Sequence, residues 1–110
     1  MIKLKSIVLA GVLAFLSSSM ALAHQDKLKE AIAHTREAVV AGRTNQPSLL
    51  VRHSTDALYS AREAYQDHPN AHIKKGIARL KEAIKFGNKR RSSATTIAYR
   101  ALQELERAPH

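Results

Sequence analysis

The chain has 110 residues, no cysteine and no tryptophan, and its 18 lysines and arginines outnumber 9 aspartates and glutamates to give a formal charge of +9. That length suits one domain with a modest core. The missing cysteine excludes disulfide support and thiolate chemistry, and the positive balance favours anionic over cationic partners.

Residues 1–23 read as a cleaved secretory signal. Lys3 and Lys5 precede an apolar run from Ser6 to Leu16, and Ala21-Leu22-Ala23 has the small-x-small pattern cut by signal peptidase. The apolar run is about eleven residues, short of the ~20 that a membrane-spanning helix needs. The expected product is a periplasmic domain over residues 24–110.

Helix one is predicted over about residues 26–41, with Leu28, Ala31, Ile32, Thr35, Ala38 and Val39 inward and Gly42 as its stop. A turn through Pro47 leads to helix two, about 48–66, with Leu50, Ser54, Ala57, Leu58, Ala61, Ala64 and Tyr65 inward. Pro69 breaks the chain again, and Asn70 is placed to cap helix three, about 71–86, which ends at Gly87. Its inward residues are Ile73, Ile77, Leu80, Ala83 and Ile84. Helix four, about 93–107, follows a basic turn and turns Ile97, Ala98, Ala101, Leu102 and Leu105 inward.

The second pair of helices repeats the first. Residues 33–42 overlay 78–87 at an offset of 45, and Thr55 to Leu58 overlay Tyr99 to Leu102 at 44. Two copies of a helical hairpin joined by short turns predict an all-α, antiparallel up-down-up-down four-helix bundle.

Within that repeat a shorter frame recurs. His34-Thr35-Arg36-Glu37-Ala38-Val39 is echoed by His53-Ser54-Thr55-Asp56-Ala57-Leu58: a histidine, an acid three residues on, then alanine and a large aliphatic side chain. A looser copy begins at His72. These residues, with Glu30-Ala31-Ile32-Ala33-His34, Asn70-Ala71-His72 and Glu82-Ala83-Ile84, resemble the small metal-binding proteins of the bacterial periplasm, histidine-rich four-helix bundles built on seven-residue repeats. The resemblance implies reversible binding of copper and other divalent metals, for storage, buffering or tolerance. It carries ligand roles onto His34, His53 and His72 alone; the equivalent heptad positions hold Lys27, Ser60, Arg79, Phe86, Ile97 and Glu104.

Imidazole suits Cu(II), Ni(II) and Zn(II) when two or three rings converge. At 1.5 Å per residue, His34 falls about 12 Å and His53 about 20 Å from the starting end of helix one, with His72 near that end. These three are therefore not expected to form one site, and His34 and His53 read as solvated flank residues and weak peripheral ligands. The predicted topology instead gathers His24, Asp26, Asp67, His68, His72 and His110 at one pole. Cleavage after Ala23 would free the amine of His24 to chelate Cu(II) together with its ring, since their reference pKa values of ~7.7 and ~6.5 leave both available near neutrality. The expected ligands are His24, His68 and His72, with His110 optional. No HExxH, glycine-rich phosphate loop or cysteine nucleophile is present, so a non-enzymatic protein is expected; separately, a monomer is the expected state.

The alternative rests on charge. From His68 onward ten basic residues face only Glu82, Glu104 and Glu106, and Lys89, Arg90 and Arg91 crowd one turn. Such a field fits an anionic lipid surface or an acidic protein partner. Nucleic acid is not expected, because no aromatic residues interleave with the basic ones.

Overall fold

The computed structural model of the chain describes residues 27–109. The proposed signal, with His24 and Asp26, and the terminal His110 lie outside the described residues. The described chain forms four helices and no strand: α1 over residues 27–43, α2 over Pro47–Asp67, α3 over Ala71–Asn88 and α4 over Ser93–Arg107.

Local chemistry sets these limits. Pro47 opens the first turn of α2, where its missing N–H removes no helical hydrogen bond. Asn70 caps α3, its side-chain oxygen accepting from the backbone N–H of His72 at 2.8 Å and of Ile73 at 3.3 Å; those are donors a helix start otherwise leaves unpaired. The two tight turns share one geometry. Asn45 has φ 57° and Arg90, 45 residues later, has φ 55°, so the sequence repeat is also a backbone repeat.

Glycine does not supply these left-handed positions. Gly42 and Gly87 lie inside α1 and α3 rather than beyond their ends, and no glycine among the described residues has positive φ. Close approach explains them instead. A Cβ on Gly42 would stand 2.8 Å from Leu50 Cδ1, and one on Gly87 would stand 2.7 Å from Val51 Cγ2, both inside contact distance.

The apolar stripes of the helices pack against one another. α2 lies against α3 and α3 against α4. Buried leucines and isoleucines are separated by alanines, which let the helix axes come close: Leu28, Leu50, Ile73, Leu80 and Leu105 are sealed from solvent, as are Ala31, Ala57, Ala61 and Ala101. The core divides into two clusters, one around Leu28, Leu80 and Leu105 and the other around Val39, Leu50 and Ile97. Two hydroxyl residues are fully buried, Thr35 and Ser54. Thr35 donates to the Ala31 carbonyl at 2.6 Å. Each follows directly on a histidine, so the polar interruptions of the core sit beside His34 and His53.

Candidate metal centre

Placing Thr35 and Ser54 inward puts the preceding residue of each helix at the flank of the seam. His34 on α1 and His53 on α2 are accordingly half-buried, and their rings stack with centroids 6.4 Å apart and planes 21° from parallel. Glu37 stands one turn beyond His34 on the same face of α1, and its Oε2 lies 2.9 Å from His53 Nδ1. One ligand atom from each of His34, Glu37 and His53 falls within 4.8 Å of the others.

The expected separation of His34 and His53 is corrected by this geometry. α2 runs over 21 residues, Pro47–Asp67, so a height taken from its far end carries the extra length of α2 into the comparison. Counted from the turn between α1 and α2 at 1.5 Å per residue, the two histidines differ in height by about 4.5 Å rather than about 8 Å, and imidazole side chains span the difference. The rings are also drawn out of solvent, and the His53 side chain keeps only 21% of its exposure.

What makes the group chemically unusual is its unused valence. The Nδ1 atoms of His34 and His53 are both buried, and neither makes a directed hydrogen bond among the described residues; Glu37 approaches His53 off the line such a bond needs. A buried polar atom without a partner is costly, and native structures rarely keep one without a role. Two imidazoles and a carboxylate form a donor set suited to borderline divalent ions, with remaining positions open to water. Ligand atoms around a tetrahedral ion with bonds near 2.1 Å lie about 3.4 Å apart, a spacing inside the 4.8 Å within which these three fall. A surface depression of about 300 Å³, bordered also by Arg36, opens beside Glu37 and His53 over Val40, Ala41 and Leu49. The residues present therefore fit a divalent metal.

Glu37 is the participant that sequence reasoning missed. Its signal was present, since an acid three residues after histidine shares that residue's face of a helix.

His72 is placed differently. Its Nδ1 lies 3.0 Å from Glu104 Oε2, between α3 and α4. The hydrogen bond from His72 holds the Glu104 carboxyl below the usual carboxylate range; burial opposes this, and the charges of Lys75 and Arg107 assist it. His68 closes α2, its backbone N–H donating to the Ala64 carbonyl at 3.0 Å.

The basic residues of the alternative reading lie in the α3–α4 turn and are exposed. Arg90 and Arg91 border a depression of about 280 Å³ that also touches Asn45 and Gln46 of the equivalent turn. The Arg91 guanidinium sits 5.8 Å from the centre of the Phe86 ring.

A family model described as small metal-binding protein matches residues 1–108. No curated protein matches the chain.

Proposed function

The chain belongs to the small metal-binding protein family, and from that premise we propose that it binds a divalent metal ion reversibly through His34, Glu37 and His53, copper first and nickel or zinc as alternatives. The observation that carries this reading is the pair of buried Nδ1 atoms without hydrogen bonds, set beside a carboxylate that the solvent reaches. A metal would give His34 Nδ1 the partner it lacks and replace the misaligned contact of His53 Nδ1 with Glu37.

The role is binding and release rather than turnover, in storage, buffering or tolerance outside the cytoplasm, in the periplasm if residues 1–23 act as a leader. The helices are proposed to run antiparallel. This is supported by Lys27 meeting Glu63 at 3.2 Å, Ser60 meeting Glu30 at 3.3 Å and Glu37 meeting His53 at 2.9 Å, three pairs in which position rises on α1 as it falls on α2.

The test is Cu(II) titration of the chain and of a His34→Ala/His53→Ala variant. Loss of the tightest binding step in the variant supports the reading, and an unchanged isotherm removes it. A second reading, an anionic-surface module, is favoured by the exposed Arg90 and Arg91 around one depression. It requires salt-sensitive binding to anionic vesicles that disappears when Lys89, Arg90 and Arg91 are replaced.

A further inference from the structure

The His34 group has three relatives in the same chain. One lies seven residues away along both helices of the first hairpin. Stepping back from His34 and Glu37 gives Lys27 and Glu30, and stepping forward from His53 and Asp56 gives Ser60 and Glu63. These four form a closed group: Lys27 Nζ lies 3.5 Å from Glu30 and 3.2 Å from Glu63, and Ser60 donates to Glu30 at 3.3 Å. An ammonium occupies the place between carboxylates where an ion would sit.

The other two lie in the second hairpin, at the repeat offsets. Arg79 and Glu82 stand where His34 and Glu37 stand in the first, and they pair at 3.3 Å. The counterpart of His53 is Ile97, a buried side chain with no ligand atom. The last group holds one imidazole, His72, against Glu104, with Arg107 3.7 Å from the same carboxylate. Lys75 stands at the position of Glu30.

We propose that Lys27 is a resident cation closing a metal station that the repeat would otherwise form on the first hairpin, and that, with Arg79 and Ile97 standing in the second hairpin where a ligand set would need donors, the bundle binds a single divalent ion, at His34, Glu37 and His53. The inference rests on the function proposed above. Its physical content is competition for the same charge. An ion pair with a fixed, covalently tethered cation needs no free metal, and a divalent ion entering beside it would meet like-charge repulsion as well as lacking imidazole donors. A metal approaching Glu63 or Glu30 would compete with Lys27 for the charge of those carboxylates. The neighbouring carboxylates, Glu63 foremost by its hydrogen bond and then Glu30 by its charge, raise Lys27 above the ordinary lysine range and so keep it cationic. Of the four stations, only that of His34 contains imidazoles on both helices and no lysine or arginine at its ligand positions.

Equilibrium dialysis against Cu(II) reads the outcome directly, with the full chain, a Lys27→His/Ser60→His variant, the His34→Ala/His53→Ala variant and the four-residue combination, each checked for helicity. One ion is expected for the full chain, none above background for His34→Ala/His53→Ala, two for Lys27→His/Ser60→His, and one for the combination. A helical Lys27→His/Ser60→His protein that gains no ion overturns the resident-cation proposal. So does a second tight ion in the unaltered chain that survives loss of His34 and His53. If His34→Ala/His53→Ala leaves the ion count unchanged while Lys27→His/Ser60→His gains one, the function assigned to His34 fails and the resident-cation role of Lys27 stands.

Discussion

His53 Nδ1 lies 2.9 Å from Glu37 Oε2, across the gap between two helices, without the alignment of a hydrogen bond. That relationship ties the fold to its chemistry. The alanine-lined seam brings α1 and α2 close, the buried Thr35 and Ser54 turn the preceding histidines to the flank, and the acid one turn on from His34 completes three converging donors. Each element follows from side-chain spacing, and only the convergence needs the tertiary structure.

Removing either imidazole should weaken the site more than removing the carboxylate. His53→Ala is expected to lower Cu(II) affinity beyond the 10–100-fold that loss of an outer partner costs, and Glu37→Gln to lower it by about tenfold. Calorimetric titration at fixed pH measures both. A Glu37→Gln protein that binds as tightly as the parent would remove that residue from the ligand set.

The left-handed backbone at Arg90 should be relieved by glycine. A side chain there carries a steric cost of about 1 kcal/mol that Gly avoids, offset in part by the greater freedom of glycine in the unfolded chain. Arg90→Gly is therefore expected to leave the Tm unchanged or raise it, and a marked fall would show that the guanidinium supports the turn.

Gly76 makes the opposite case. A Cβ there would come within 2.8 Å of Leu105 Cγ, and Leu105 is fully buried in the core. Gly76→Ala is expected to cost about 1–3 kcal/mol in chemical denaturation despite its better helix propensity. Neutral or increased stability would mean that α3 and α4 are not in such close contact.

The His72–Glu104 pair predicts an acid-sensitive increment of stability. The Glu104 pKa is depressed below its unfolded value of 4.5, chiefly by the hydrogen bond with His72. Stability from this group is thus present above that unfolded value and lost as pH falls through the depressed folded one. The Tm difference between the chain and Glu104→Gln should accordingly be greatest above pH 4.5 and shrink in stronger acid. A difference independent of pH across that range would assign the effect to packing.

Much of the fold was legible in the spacing of apolar residues. The residues expected inward on α1 are all buried, and Asn70 caps α3 as its side chain suggests. What the sequence concealed were relationships across helices. Gly42 and Gly87 looked like helix stops because glycine often takes positive φ, yet both serve close packing, and Arg90, a residue with no preference for that region, takes the left-handed position. The His34–His53 contact was hidden for a similar reason. Heights counted from the far pole carry the full difference in helix length, and α2 is 21 residues long, so that count separates two histidines which, counted from the turn they share, lie within about one helical turn of each other. At Lys27 and Arg79 the sequence showed only that histidine is absent from the frame; their ion pairs with Glu30, Glu63 and Glu82 needed the structure.

The most direct measurement is the histidine ring spectrum of the chain during addition of Cu(II), whose paramagnetism broadens the resonances of nearby nuclei. Up to one equivalent of copper is expected to broaden the His34 and His53 signals together while those of His72 persist. Early broadening of His24, His68 or His72, with His34 and His53 still sharp, would contradict this and return the metal to the pole of the bundle.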